Sequence, residues 1–316
     1  MTSKKVIFMG TPEFAVPALE SIISSNHKVV AIYTQEPRPF GRGMEIKLSP
    51  VHEVAIKYNI EVFTPKTLRN SSEIDCINNI DADVIVVCAF GFIIPAEILT
   101  SKRYGCINIH PSRLPRARGA SPLQYTILEG DTESSVCIIQ MDEGIDTGPV
   151  IMRQDFLLPS KPKLRWLREY TAKLGAEMVV DTLYKIPNVD FNEQNNIGAT
   201  YAHKLKKENA YINFDHDAIY LDRKIRAYGE WPVCRIKSKI GDIKILDAEA
   251  LLISHNNRPG TIIEKFAKEE LVFACSLNGL KVNLLQIPSK KPMSGRDFLN
   301  GYSDLMLNLG AEFLGN

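Results

Sequence analysis

Paired cysteines, a bilayer-length apolar run, a charge excess of either sign and a three-glycine nucleotide turn are all missing from this sequence, and each absence removes a class of protein. The six cysteines (Cys76, Cys88, Cys106, Cys137, Cys234, Cys275) are scattered, with no C-x-x-C pair, which argues against a disulfide scaffold. Several lie inside apolar runs such as VIVVCAF and SVCIIQM, where they read as buried free thiols of a reducing compartment. No segment approaches the about 20 apolar residues of a transmembrane helix. The opening MTSKKVIFMGTPEF has an apolar stretch too short for a signal peptide. A cytoplasmic protein with no membrane partner is expected.

Lysine and arginine number 38 against 37 aspartates and glutamates, a formal charge of +1, so no global field draws the chain to nucleic acid. The balance is uneven along the chain: 17 basic residues face 14 acidic ones from Tyr201 onward, and 21 face 23 before it. A local basic patch is therefore possible only as a modest lean of the C-terminal part. In FMGTPEFA the single Gly10 cannot form a dinucleotide fingerprint, which needs three glycines at fixed spacing. Gly10 reads as a strand-to-helix turn, and a nicotinamide-dependent dehydrogenase is disfavoured.

What is present is an alternation of strand-like and helix-like segments. VIFMG leads into amphipathic PEFAVPALESIISSN, then KVVAIYT, PVHEVAIKYN, IEVFTP and DVIVVCAF. Continuous Val and Ile runs bounded by Gly and Pro predict strands buried on both faces, as in a parallel sheet covered by helices. This is an open, Rossmann-like α/β sheet. SSVCIIQM and GPVIMRQDFLL can pair as a hairpin around DEGIDTG, and a helix from about Pro162 to Tyr184 closes the first domain. The polar stretch from Lys185 to Thr200 lacks apolar periodicity and reads as a linker. Beyond it, short β-branched segments (VCRIKS, DIKILDAEA, GTIIEKF, LVFACS, LKVNLLQIP) predict a small β-barrel. The expected domains are residues 1–184, a linker over 185–200, and an OB-like barrel over 201–316.

Three short motifs carry candidate chemistry. In CINIHPSRLPRARGASP, Asn108 and His110 are two residues apart on a strand and share one face. At the carboxyl end of a sheet strand they can offer an amide donor and an imidazole to one point. The same spacing also fits an asparagine that caps a strand and a histidine packed beside Pro111. In MDEGIDTGP, Asp146 lies in a glycine-rich turn from which a carboxylate can reach and orient a histidine, although aspartate is ordinary in such turns. In VVCAFGFIIP, Gly91 can let a flat ring approach the backbone after a buried strand, although the same residues also fit a plain buried strand and turn.

Taken together and in this order, these motifs resemble the 10-formyltetrahydrofolate-dependent formyltransferases. IFMGTPEFA, QEPRPFGRG, TYAHKLKKENAYINFD and IRAYGEWP extend the likeness over essentially the whole chain. The resemblance implies a formyl transfer in which Asn108, His110 and Asp146 are catalytic. It places Ser112, Arg113, Leu114 and Pro115, with Phe90, Gly91, Ile94 and Pro95, at the folate. It places Arg38, Arg42 and Lys47 where the tRNA-directed members grip an acceptor end; the basic stretch HKLKK, with Lys204, Lys206 and Lys207, can separately meet phosphates. The implied partners are 10-formyltetrahydrofolate as co-substrate and initiator methionyl-tRNA, with a monomeric enzyme. Arg113 and Ala117 replace a leucine and an aromatic residue common in the family, and Met44 and Glu45 replace a basic pair.

The residues fit such a reaction. An α-amine, with a pKa of about 7.7 to 8.0, needs no strong base. The harder task is to stabilise the oxygen that gains charge in the tetrahedral intermediate, and Asn108 and His110 are the expected donors. Asp146 is expected to orient the ring and help move the amine's proton toward the leaving nitrogen. No cysteine nucleophile, metal or pyridoxal-type lysine is expected; His27, His52, His203, His216 and His255 read as structural or surface residues. A sugar-nucleotide or purine-precursor amine is the rival acceptor, and a catalytically silent RNA-binding module is the rival of another class.

Overall fold

A computed structural model describes residues 3–40, 45–238, 241–266 and 269–302. The chain divides into two compact units, one of residues 1–122, 133–157 and 168–202 and one of 123–132, 158–167 and 203–316.

The first unit is built on the strands β1 (Lys5–Gly10), β2 (Lys28–Tyr33), β5 (Val62–Phe63), β6 (Val84–Cys88), β7 (Cys106–His110), β8 (Glu133–Gln140) and β9 (Val150–Leu157). A separate two-stranded hairpin pairs β3 (Arg38–Phe40) with β4 (Glu45–Lys47). The main sheet runs in the order β5-β2-β1-β6-β7-β8-β9. Its first five strands are parallel, β8 pairs antiparallel with β7, and β9 pairs antiparallel with β8, which is the mostly parallel Rossmann-like sheet expected. β8 and β9 form the anticipated hairpin, with Val136 opposite Gln154 and Ile139 opposite Val150.

The apolar runs explain the layering. Val6, Phe8, Val84, Val86, Ile107 and Ile109 pack against α1 (Val16–Ile23), α2 (Pro50–Lys57) and α6 (Leu164–Lys185). The alternate residues Ile7, Met9, Ile85, Val87 and Cys106 face α3 (Ser71–Asn79) and α4 (Ala96–Leu99). With both faces covered, β1 and β6 carry apolar residues at successive positions rather than alternating ones. Asn108 and His110 continue the face that Cys106 begins. Five of the six cysteines are buried and all six are free. Gly10 is a packing glycine: a Cβ there lies 2.7 Å from the Phe8 ring and 3.0 Å from the Cys88 carbonyl oxygen.

The stretch read from sequence as a linker is laid down on this unit. Asn192 exchanges two backbone hydrogen bonds with Val150, at 2.8 and 3.0 Å. Arg118 N–H donates to the Thr200 carbonyl (2.9 Å), and Ala202 N–H donates to the Arg118 carbonyl (2.6 Å). Its low hydrophobicity hid this, because beyond Ile186 and Val189, which pack on the core, the segment is held by backbone and amide hydrogen bonds.

The second unit holds a curled antiparallel sheet of β10 (Arg235–Ile236), β11 (Ile243–Leu251), β13 (Gly279–Gln286) and β12 (Val272–Ala274), with β14 (Met293–Ser294) added to β13. Pairing slips at Asp247, where β11 meets β13, and such bulges increase strand twist. α7 (Ala218–Ala227) begins at Asp217, whose side chain accepts from the Ile219 amide.

Candidate active site

β7 ends at His110, on an edge of the parallel part of the sheet, and a loop follows. On that strand Asn108 is half-buried and His110 is buried. The turn between β8 and β9 brings Asp146 back to them. Asn108 Nδ2 donates to Asp146 Oδ1 (3.4 Å), and His110 Nδ1 lies 3.4 Å from Asp146 Oδ2. The same Oδ2 accepts the Gly119 backbone N–H at 2.8 Å. One carboxylate therefore joins a strand, the loop after it and a distant hairpin turn.

The turn holds its aspartate in an unusual backbone state. Asp146 has φ +53°, in the left-handed region, which a non-glycine residue occupies at a cost of about 1–3 kcal/mol. Asp142 stiffens the start of the turn, accepting from the Gly144 amide (3.1 Å) and from Thr147 Oγ1 (2.7 Å). Ala117, also left-handed at φ +58°, sends its carbonyl to His110 Nε2 at 3.1 Å. Its own amide donates to Thr200 Oγ1 at 2.9 Å.

Both His110 ring nitrogens are engaged, and the side chain is 4% exposed. With its Nε2 proton given to Ala117, a neutral ring has only a lone pair at Nδ1. The contact to Asp146 becomes a hydrogen bond when Nδ1 also carries a proton. The dyad is a place to hold one proton, and Asn108 keeps a second N–H beyond the one given to Asp146.

The other sequence-derived positions are distributed as follows. Phe90 and Ile94 are 2% and 7% exposed and pack in the core with Ile98, so their side chains are not open to a ligand. Exposed at that strand end are Ala89 and Gly91, with φ +48° and +84°. The Phe90 carbonyl accepts from Thr11 Oγ1 and Gln35 Nε2, both at 3.0 Å, and Pro95 is half-buried. In the loop after β7, Ser112 is buried, its hydroxyl donating to the Arg116 carbonyl (2.8 Å). Leu114 packs on Cys137 and Ile139. Arg113 pairs with Glu133, and Pro115 is half-buried. Arg38 and Lys47 stand directly opposite each other in the β3–β4 hairpin; Arg42 lies outside the described residues. Lys204, Lys206 and Lys207 are exposed in the second unit.

Two residues near Asp146 were not anticipated. Arg118 is 1% exposed, although an arginine in a loop of prolines and glycine reads as a solvated cation. Gln194, in the polar stretch after α6, donates to the carbonyls of Asp146 (2.9 Å) and Gly148 (2.7 Å). No local pattern signals either contact.

A mostly parallel α/β sheet carries an Asn, His and Asp cluster at the carboxyl end of β7, and a curled antiparallel sheet follows in the second unit. The Formyl transferase family model matches residues 4–183, the Formyl transferase C-terminal domain model matches residues 204–303, and the chain belongs to this family. A methionyl-tRNA formyltransferase of Rickettsia bellii is 50% identical over 304 residues, covering 96% of this chain and 99% of that protein. One of Rickettsia canadensis is 48% identical over 297 residues, with 94% and 96% covered. Among solved structures, the sugar 3N-formyl transferase WlaRD superposes with TM-score 0.65 at 22% identity, covering 92% of this chain and 100% of that one. HypX of Aquifex aeolicus, in complex with tetrahydrofolic acid, gives TM-score 0.59 at 13% identity over 94% of this chain and 47% of its own. These distant structures share the fold.

Proposed function

We infer that this chain transfers the formyl group of 10-formyltetrahydrofolate to the α-amine of methionine carried by initiator tRNA, the first step that marks a methionine for starting translation. The observation that carries the chemistry is the junction at Asp146, where Asn108, His110 and the Gly119 amide meet one carboxylate. Identity of half the residues over nearly the whole length to a methionyl-tRNA formyltransferase carries the acceptor.

The attacking amine is available near neutral pH, since its pKa is about 7.7 to 8.0. Its attack on the formyl carbon places negative charge on the carbonyl oxygen. The second N–H of Asn108 is the donor for that oxygen, and removing one such donor typically costs about 3–4 kcal/mol. As the amine bonds to carbon it becomes acidic and must lose a proton, while the departing folate nitrogen must gain one. Asp146, the more exposed member of the pair, takes and returns that proton, with His110 Nδ1 beside its Oδ2. Atoms balance without a covalent enzyme intermediate.

For the folate, the backbone at Ala89–Gly91 is the surface that a flat heterocycle can approach, because Phe90 and Ile94 are committed to the core. Its support is the exposure of Ala89 and Gly91 after β6, at the switch of strand order between β1 and β6, where open α/β sheets take their ligands. Ser112, Arg113, Leu114 and Pro115 border the folate as the backbone course of one loop; Arg113 spends its charge on Glu133.

For the tRNA, Arg38 and Lys47 put two like charges side by side across the hairpin, an arrangement unfavourable in isolation and suited to a polyanion. Lys204, Lys206 and Lys207 supply phosphate contacts that position without reading sequence. We place the catalytic domain at residues 1–184, the connecting stretch at 185–200 and the tRNA-binding domain at 201–316. The enzyme works as a monomer in the cytoplasm. Among the described residues no helix is long and apolar enough to cross a membrane.

The test is competition: 10-formyltetrahydrofolate offered with equal concentrations of methionyl-tRNA and an amino-sugar nucleotide. Formylation of the tRNA-borne methionine is expected; formyl transfer to the sugar amine alone would overturn the acceptor.

A further inference from the structure

We propose that Arg118 and Gln194 are positioning residues for the formyl-transfer reaction, acting together as a buried clamp that holds Asp146 in its left-handed conformation. The proposal rests on the catalytic role given to Asp146 above.

Burying an arginine is costly unless its charge and its N–H groups are satisfied. Arg118 is 1% exposed, yet its side-chain hydrogen bonds end on neutral amides. Nε and Nη2 both donate to Gln194 Oε1, at 3.1 and 2.9 Å, and Nη1 donates to Asn196 Oδ1 at 3.0 Å. The paired donation from one guanidinium edge holds Gln194 Oε1 in place. Fixed that way, Gln194 Nε2 faces back toward the hairpin turn and donates to the carbonyls of Asp146 and Gly148, at 2.9 and 2.7 Å.

These two carbonyls are that of Asp146 itself and that of Gly148, two residues later in the same turn. A left-handed aspartate reverts to an ordinary conformation unless its surroundings hold it. Reversion swings the side chain away from Asn108 and His110. The backbone of Arg118 is itself pinned, its N–H on the Thr200 carbonyl and its carbonyl on the Ala202 N–H, and its chain neighbour Gly119 supplies the 2.8 Å bond to Asp146 Oδ2. Arg118 therefore reaches Asp146 by two routes, through Gly119 to the carboxylate and through Gln194 to the backbone. A purely structural filler needs neither, since an apolar side chain of similar volume fills the same space without a buried charge.

The experiment uses the full-length enzyme with methionyl-tRNA and 10-formyltetrahydrofolate. Gln194→Glu keeps the acceptor for Arg118, adds an opposite charge, and removes both N–H donors to the turn. The expected result is a lower thermal midpoint in an enzyme still folded at the assay temperature, unchanged KM for both substrates, a kcat lower by about 10²-fold, and a displaced pH profile of kcat. Arg118→Lys keeps the charge but cannot make the paired donation, so it lowers kcat in the same way; it also serves if Gln194→Glu weakens folding. The double variant Asp146→Asn with Gln194→Glu is expected to be no slower than Asp146→Asn alone, because both act on one group. Wild-type kcat in Gln194→Glu and Arg118→Lys, with Asp146→Asn slow, overturns the clamp and leaves the role of Asp146 standing. Wild-type kcat in Asp146→Asn overturns that role itself. Multiplying losses in the double variant also overturn the clamp.

Discussion

Gly119→Ala offers a quantitative test of how tightly the loop after β7 is drawn onto its surroundings. Gly119 has φ +110°, and a Cβ built on it lies 2.8 Å from the Ala202 carbonyl oxygen. That neighbour is backbone and is itself engaged, accepting from the Ser121 amide at 3.1 Å, so it cannot swing aside as a side chain tip can. The strained conformation costs about 1–3 kcal/mol. If the loop relieves the clash by moving, the charge-assisted bond from Gly119 N–H to Asp146 weakens as well, at about 1.5–3 kcal/mol. The expected loss of stability is about 3 kcal/mol, and a misplacement near 1 Å slows turnover by about 10²-fold. Gly198→Ala is the matched control. Gly198 is also left-handed, φ +78°, but has nothing within 4 Å of its added Cβ, so it carries the backbone cost alone and leaves the rate intact. Urea denaturation and single-turnover formylation of both variants check this. Equal behaviour of the two, or a Gly119→Ala enzyme with wild-type stability and rate, refutes the packing argument.

Three further outcomes are expected. His27 Nδ1 accepts the Lys4 amide at 3.1 Å while Nε2 is buried without a partner, and burial, with the Lys4 charge, pushes its pKa below the usual histidine value. The unfolded chain therefore binds a proton below about pH 6.5 that the folded one refuses, so stability falls as pH drops through that range; urea midpoints of the His27→Gln variant are expected to show a flatter pH profile than wild type. Burial raises the thiols of Cys88, Cys106, Cys234 and Cys275 to about 12 and that of Cys137 to about 11, so a thiol reagent on native protein is expected to react first at half-buried Cys76 and to leave formyl transfer intact. Replacing Lys204, Lys206 and Lys207 by alanine is expected to weaken methionyl-tRNA binding and to flatten the dependence of log affinity on log salt by about 0.7–0.9 per lost phosphate contact; an unchanged slope removes these lysines from the interface.

The sheet was legible because its cause is local. VIVVC and VIFMG are apolar at every position, and only a strand covered on both faces accepts that. The shared face of Asn108 and His110 was legible for the same reason, since a period of two is a property of the strand alone. Asp146 could be named but not placed: its approach to a residue 38 positions earlier, Asn108, depends on a left-handed turn that the sequence GIDTG permits without requiring. Phe90 and Ile94 show the opposite limit, because an apolar residue at a strand end serves a pocket or a core equally well, and here the core has them. Arg118 and Gln194 were illegible. A buried cation matched by amides looks, in sequence, like one more charge in a loop and one more polar residue in a connecting stretch, and the backbone bonds of Arg118 to Thr200 and Ala202 that help bring the two segments together leave no local pattern.

The central claim is that Asn108, His110 and Asp146 act together in moving a formyl group to a tRNA-borne amine. Its most direct measurement is single-turnover formylation of initiator methionyl-tRNA by the wild-type enzyme and by Asn108→Ala, His110→Ala and Asp146→Ala, each checked for retained folding. Transfer by the wild type with a loss of at least about 10²-fold in every variant is the predicted result, and turnover at the wild-type rate in all three would contradict the account.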